Sequence, residues 1–303
     1  MIVAFNRPEL LYKLIQSLSK VKPRIIRVSI DGPRNGNHQD KSFIDECKKI
    51  IAEINWTTDI KIKENETNLG LRYSIPAAVN WVLSEFETLI VLEDDVEVGE
   101  SLIPYMEYYL NKFADSKSIA HISGYNFFAK DLDLEEISAR YSRFPESYAW
   151  ATWKNKWSLY NDKLVVPSFQ LLYRNGCGLT GALSWRREFL NTKRTYINSW
   201  AYRWTASLWN NDQMCISPSR NLINYNGNKL GTNTFFKQRW SELPIVEIGK
   251  FSEDISFNDK VEKEIATTAY RNKIKDLILL YVITMVLSIK RICNLRMLFL
   301  NRP

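Results

Sequence analysis

The sequence predicts an α/β protein: a mostly parallel central sheet with flanking helices and an aromatic-rich second half. Three observations predict it. Residues 1–124 alternate short β-rich runs with longer stretches of helical periodicity, the pattern of βαβ units. Four of the five apolar runs end in polar residues, as the carboxyl ends of buried strands do. Beyond Gly124 the rhythm changes to loop-rich sequence crowded with aromatic residues.

The first strand is expected at Ile2–Phe5; the chain opens inside this apolar run, so the strand begins at the first residue or the start is clipped. Pro8 then opens a helix whose Leu10, Leu11, Leu14, Ile15 and Leu18 share one face. A strand at Ile25–Ile30 leads to a helix from Phe43 to Ile54, with Ile44, Cys47, Ile50, Ile51 and Ile54 on its apolar side. Asp59–Lys63 is the third strand, and a helix from about Ser74 to Glu87 tolerates Pro76 in its first turn. Strands at Thr88–Leu92 and Ser118–Ile122 complete the first half. The second half carries helices near Glu188 and over Ser199–Asn210. Trp200, Trp204 and Leu208, spaced i, i+4, i+8, form one stripe, which is core packing or the wall of a carbohydrate site.

A 45% hydrophobic share with 13% aromatic residues excludes general disorder, and 303 residues can bury a full core. Cys47, Cys177, Cys215 and Cys293 are scattered, with only His38 and His121 as imidazole partners, so no structural zinc site is expected. No signal peptide is read at the start, which points to a cytoplasmic protein with reduced thiols. The net charge of +7 is concentrated at the end: residues 260–303 hold nine basic and three acidic side chains, a net +6. Within them Leu277–Ile289 is thirteen residues without a charge. That is shorter than the roughly 20 residues that span a bilayer, so it reads as a core helix or an interfacial anchor. Its basic flanks favour peripheral contact with anionic lipid at the inner face of the cytoplasmic membrane. No basic, aromatic-interleaved patch lies in a recognisable module outside this tail, so nucleic acid is not an expected partner.

The residues that carry chemistry stand at the strand ends. The run Thr88-Leu89-Ile90-Val91-Leu92 delivers Glu93-Asp94-Asp95 to a strand terminus, where carboxylates can hold Mg²⁺ or Mn²⁺ against a substrate's phosphates. The plainer reading is a solvated turn or the charged start of a helix. Phe5-Asn6-Arg7-Pro8 places a guanidinium at a helix start, where free N–H groups also favour anions. Asp31-Gly32-Pro33-Arg34 ends the second strand with an acid able to accept from a base N–H or a ribose hydroxyl, and Asn68-Leu69-Gly70-Leu71-Arg72 follows the third. Singly each resembles an ordinary βα turn; together, in this order, they suit a nucleotide.

The series FNRPELL, SIDGPR, NLGLRYSIPAAVNW, IVLEDDVEV and HISGYN resembles the nucleotide-sugar glycosyltransferases of the GT-A fold. More narrowly it is similar to the bacterial family 2-like group related to N-acetylglucosaminyltransferase I, as are RYSRFPESYAWATWKNKWSLY and WAYRWTASLW. The likeness runs to about residue 235. It implies a domain over 1–250, with 1–124 as the nucleotide-sugar half and 125–250 as the acceptor half, and a basic, apolar helical tail over 251–303. It implies Asp95 as the direct metal ligand, Asp94 facing ribose or metal, and Glu93 approaching the donor sugar. Asp31 would meet uracil or ribose, and Arg7 and Arg72 would join the donor site. The donor would be a nucleoside diphosphate sugar, UDP-linked, and the acceptor a saccharide or lipid-linked glycan of a bacterial surface polysaccharide or lipopolysaccharide.

An inverting transfer also needs a carboxylate to take the acceptor hydroxyl's proton. The related transferases carry an acidic pair between two tryptophans, whereas this chain has Trp200-Ala201-Tyr202-Arg203-Trp204. Glu146, in Phe144-Pro145-Glu146-Ser147-Tyr148, and Asp212 are the candidate bases, each also readable as a surface acid. Two rivals stand beside this reading. A nucleotidyltransferase would carry a Gly-rich basic loop after the first strand, and Phe5-Asn6-Arg7-Pro8 has no glycine. A lectin-like binder without turnover follows if neither acid serves.

Overall fold

A computed structural model of the chain describes residues 1–127, 138–227 and 244–268, together with positions 270, 278, 281 and 282. The chain begins with strand β1 (Ile2–Ala4) and helix α1 (Pro8–Val21), which starts on Pro8 and stops where Lys22 turns left-handed, φ 55°, its N–H on the Leu18 carbonyl. Strand β2 (Ile25–Ile30) follows. Helix α2 (His38–Ala52) begins five residues before the expected Phe43, because the Asn37 side chain caps it, accepting from the N–H groups of Gln39 and Asp40. After β3 (Asp59–Glu64), helix α3 (Leu71–Glu85) also starts early. Gly70, at φ 71°, turns the chain so that its carbonyl accepts from Tyr73 and Ser74 at 3.0 and 2.9 Å. Pro76 therefore falls inside the helix and not in its first turn.

Strands β4 (Thr88–Glu93) and β5 (Val96–Val98), helix α4 (Leu102–Lys112) and strand β6 (Ile119–Ser123) close the first half. The second half contributes β7 (Ala139–Ser142), β8 (Ala149–Trp153), α5 (Lys154–Trp157), α6 (Phe169–Asn175), α7 (Leu179–Lys193) and α8 (Trp200–Asn210). β9 (Met214–Pro218), β10 (Ile223–Tyr225) and α9 (Asp259–Thr268) follow.

Among the described residues eight strands form one sheet in the order β3-β2-β1-β4-β8-β6-β9-β7, with β8 and β7 running against the rest. Strands β5 and β10 pair antiparallel beside it. The sequence winds outward from β1 to β3 and then returns to lay β4 on the other side of β1. That reversal is the place where an open α/β sheet leaves a crevice at its carboxyl edge.

Helices α1, α2 and α4 pack on one core, built around Leu11, Leu14, Ile44, Ile51, Tyr105 and Met106. Tryptophans dominate a second core. Trp200, Trp204 and Leu208 are 4%, 1% and 0% exposed, so the stripe is core and not the wall of a carbohydrate site. Trp204 Nε1 donates to His121 Nδ1 at 3.2 Å, which leaves His121 Nε2 to carry the proton it donates to the Glu146 carbonyl at 3.0 Å. Burial holds this imidazole neutral, its pKa lowered to about 4.

Residues 251–268, read from the sequence as the start of a tail, belong to the packed body. Val261, Ile265 and Ala266 are buried in the tryptophan core, and Glu262 makes a 2.5 Å ion pair with Arg140 inside the protein. Most of Leu277–Ile289 lies outside the described residues, and with it the expected membrane contact. Among the described residues no helix is long and apolar enough to cross a membrane.

Candidate functional site

Register places the acids. Strand β4 pairs with β1 through Ile2↔Leu92 and Val3↔Glu93, so the residues after each strand emerge side by side. Phe5 N–H donates to Asp94 Oδ2 at 3.2 Å, while Arg7 Nη1 reaches Asp94 Oδ1 at 3.3 Å and Asp95 Oδ2 at 3.1 Å. Asp94 and Asp95 are 6% and 5% exposed. One guanidinium thus faces two buried carboxylates, with Glu93 half-buried beside them. The triplet is not a solvated turn.

Burial raises the pKa of all three acids. Asp94 reaches about 7, with Asp95 adding to the rise and Arg7 opposing it. Glu93 is pushed well up by burial and by its two acidic neighbours, and Asp95 by burial against the pull of Arg7. The Arg7 pKa rises although burial opposes this, because Asp94, Asp95 and Glu93 surround it. The cluster is an arrangement short of positive charge.

The hairpin-like ribbon of β5 and β10 completes the site from the second half. Val96 pairs with Tyr225, and Asn226 N–H donates to the Asp95 carbonyl at 2.8 Å. The next residue, Gly227, runs against the acids: a Cβ there would stand 2.2 Å from Tyr225 Oη and 2.6 Å from Asp95 Oδ2. Tyr225 stacks obliquely on Tyr148, ring centroids 4.4 Å apart. Its phenol pKa is raised by burial, then by the charge of Asp95, so at neutral pH it is a hydroxyl donor.

A divalent cation fits these residues. Asp95 Oδ1 is buried and has no hydrogen-bond partner, an orphaned acceptor in a site with surplus negative charge. Among the described residues no three His, Cys, Asp or Glu side chains form a complete metal cage. The protein would therefore supply one or two carboxylates and leave the other positions to water and phosphate oxygens, the usual arrangement for Mg²⁺.

The other sequence-predicted residues have their partners outside the acid cluster. Both oxygens of buried Asp31 are taken: Oδ1 accepts from Gly32 N, Asn65 Nδ2 and Leu69 N, and Oδ2 from Asn68 Nδ2 and Gly70 N, at 2.9–3.1 Å. In this arrangement Asp31 shapes the turn before α3. Arg72 makes a two-point pair with Asp162, Nε–Oδ1 3.1 Å and Nη2–Oδ2 2.8 Å, beside Arg203. Glu146 is 1% exposed and accepts from Ser217 Oγ at 2.9 Å. It is therefore no surface acid; burial raises its pKa to about 7, with Arg140 opposing. Asp212 sits at φ 51° on the surface, 2.5 Å from Arg174, as the plainer reading holds. No contact joins either candidate base to Arg7, Asp94 or Asp95.

Sequence reasoning did not single out Asp40, Tyr148, Tyr225 or Gly227. Asp40 accepts from Asn6 at 2.7 Å and from Arg34 through Nε and Nη2 at 2.7 and 2.8 Å, tying the loop after β1 to the loop after β2. The hydrogen bonds from Arg34 lower its pKa to about 2. The cue for Gly227 was available only as a glycine following Tyr225-Asn226; its partner Asp95 is distant in sequence.

No family model and no curated protein matches the chain. Among solved structures it is similar to 4-diphosphocytidyl-2C-methyl-D-erythritol synthase from Anaerococcus prevotii, at 13% identity over 52% of this chain and 73% of that one, with a TM-score of 0.32.

Proposed function

We propose that the protein is a metal-dependent glycosyltransferase of the GT-A fold, moving a sugar from a UDP-linked donor to a saccharide or lipid-linked glycan acceptor with inversion. One observation carries this reading: the unpartnered, buried Oδ1 of Asp95, set with Asp94 and Arg7 where the strand order reverses. A bound Mn²⁺ or Mg²⁺ would neutralise charge on the diphosphate as it leaves. Asp95 and Asp94 would hold that ion. Arg7, at the head of α1, keeps both carboxylates in place and adds positive charge where an anion would sit. Tyr225 walls the side of Asp95 towards the second half.

Transfer also needs a base for the acceptor hydroxyl's proton. Glu146 and Asp212 make no contact with the acid cluster, and this favours one second reading, a carbohydrate binder of this fold without turnover. Release of UDP from a panel of UDP-sugars in Mn²⁺, compared between wild type and Asp95→Asn, separates the two. Turnover lost on substitution supports the transferase. No release by wild type, with UDP still bound, supports the binder. The biological setting follows the same reading: surface polysaccharide or lipopolysaccharide assembly at the cytoplasmic membrane, reached through the basic tail. Removing residues 270–303 would then abolish recovery with anionic vesicles, and full recovery of the shortened protein would refute the tail's role.

A further inference from the structure

Asp95 Oδ2 has a donor on either side. Arg7 Nη1 lies 3.1 Å from it. Tyr225 Oη stands 2.2 Å and Asp95 Oδ2 2.6 Å from one point, the place a Cβ on Gly227 would take, so the phenol and the carboxylate are close neighbours without a hydrogen bond between them. The two donors come from opposite flanks of β4. Arg7 follows β1, which pairs with one edge of β4; Tyr225 ends β10 and packs on Tyr148, the residue before β8, which pairs with the other edge. Neither donor is spent. Among the described residues the Arg7 guanidinium hydrogen-bonds through Nη1 alone and its side chain is 21% exposed, and the Tyr225 hydroxyl has no hydrogen-bond partner.

We infer that the Tyr225 hydroxyl hydrogen-bonds a non-bridging oxygen of the donor's diphosphate, opposite Arg7, so that the second half of the chain takes part in recognising the phosphates. This rests on the glycosyltransferase reading. The site sets two unspent donors beside one unspent acceptor, Asp95 Oδ1. A lone anion or a lone cation would meet only one kind of group. A cation carried on a diphosphate meets both, since the acceptor faces the ion and the donors face phosphate oxygens. The choice of a phenol fits this arrangement. It keeps its proton at neutral pH and brings no charge, so it donates to phosphate while leaving Asp95 its full charge for the ion, whereas a second guanidinium there would compete with that ion.

Calorimetry on the full chain with Mn²⁺, using UDP and inorganic pyrophosphate as probes, tests this on Tyr225→Phe. The variant keeps the ring on Tyr148 and removes only the hydroxyl. UDP and pyrophosphate should each bind it about tenfold more weakly than wild type, or ~1.4 kcal/mol. Thermal melts with Mn²⁺ alone should shift as in wild type, because the carboxylates that hold the ion are untouched; a purely structural role would weaken both effects together. UDP affinity within about twofold of wild type overturns the inference. So does a loss confined to UDP, which would put the hydroxyl on the nucleoside, or an equal loss of the Mn²⁺ shift, which would mean that it acts through Asp95. If wild type binds UDP, such a failure belongs to Tyr225 alone; if wild type binds neither probe, the donor reading falls with it.

Discussion

Arg7 Nη1 lies 3.1 Å from Asp95 Oδ2, joining the loop after β1 to the end of β4 across 88 positions of chain. The same nitrogen is 3.3 Å from Asp94 Oδ1. One cation is shared by two buried carboxylates with Glu93 beside them, so the site carries a charge deficit that a divalent ion would relieve. Most of the functional expectations follow from this imbalance.

Stability should show it first. The unfolded chain titrates Asp near 3.9, whereas folded Asp94 titrates at about 7, so the folded state holds the proton more tightly. The contribution of this group is present below pH 4 and is lost as pH rises from about 4 through about 7. Asp94→Asn should therefore be more stable than wild type at pH 7.5, by on the order of 1–3 kcal/mol, with the gap closing at pH 4. Urea unfolding at both pH values measures this; a gap that widens on acidification would refute it.

Mn²⁺ should stabilise wild type more at pH 7.5 than at pH 5, because protons compete for the same carboxylates. At a hundredfold excess over Kd the gain is about 2.7 kcal/mol. Thermal melts with Mn²⁺ and with EDTA test it, and a shift independent of pH would place the ion elsewhere.

Gly227→Ala should damage the site more than the fold. The added methyl meets Tyr225 Oη and Asp95 Oδ2, both side-chain atoms, so the rings and carboxylate must shift. A stability loss of about 1–3 kcal/mol is expected. Loss of Mn²⁺-dependent melting stabilisation should accompany it. Retention of that effect would show that Gly227 does not border the metal.

Asp31→Ala should cost about 3–5 kcal/mol, because it leaves five donors around a buried hole, two of them the Leu69 and Gly70 N–H groups. Asp31→Asn should lie between, having one fewer acceptor. Chemical unfolding decides; a change within 0.5 kcal/mol, roughly that of a surface substitution, would contradict this structural role for Asp31.

How far the sequence discloses this protein depends on range. Strands such as Ile25–Ile30 and the helix from Pro8 are legible because periodicity and the Pro8 start signal are local. The early starts of α2 and α3 are local as well, but hinge on the cap at Asn37 and the left-handed turn at Gly70, signals weaker than the apolar pattern that follows them. The acidic triplet stood out as three adjacent charges after an apolar run. Its neighbours Tyr225 and Gly227 did not, since only the β5–β10 pairing brings them there. Glu146 illustrates the converse: a turn-like Pro-Glu-Ser reads as surface, yet tertiary packing buries it beneath Ser217.

The central claim is tested most directly by calorimetry of UDP binding with and without Mn²⁺, comparing wild type with Asp95→Ala. The account predicts binding that requires the metal and is lost in the variant. Binding that is equal in the two proteins, indifferent to Mn²⁺, or absent from wild type would contradict it.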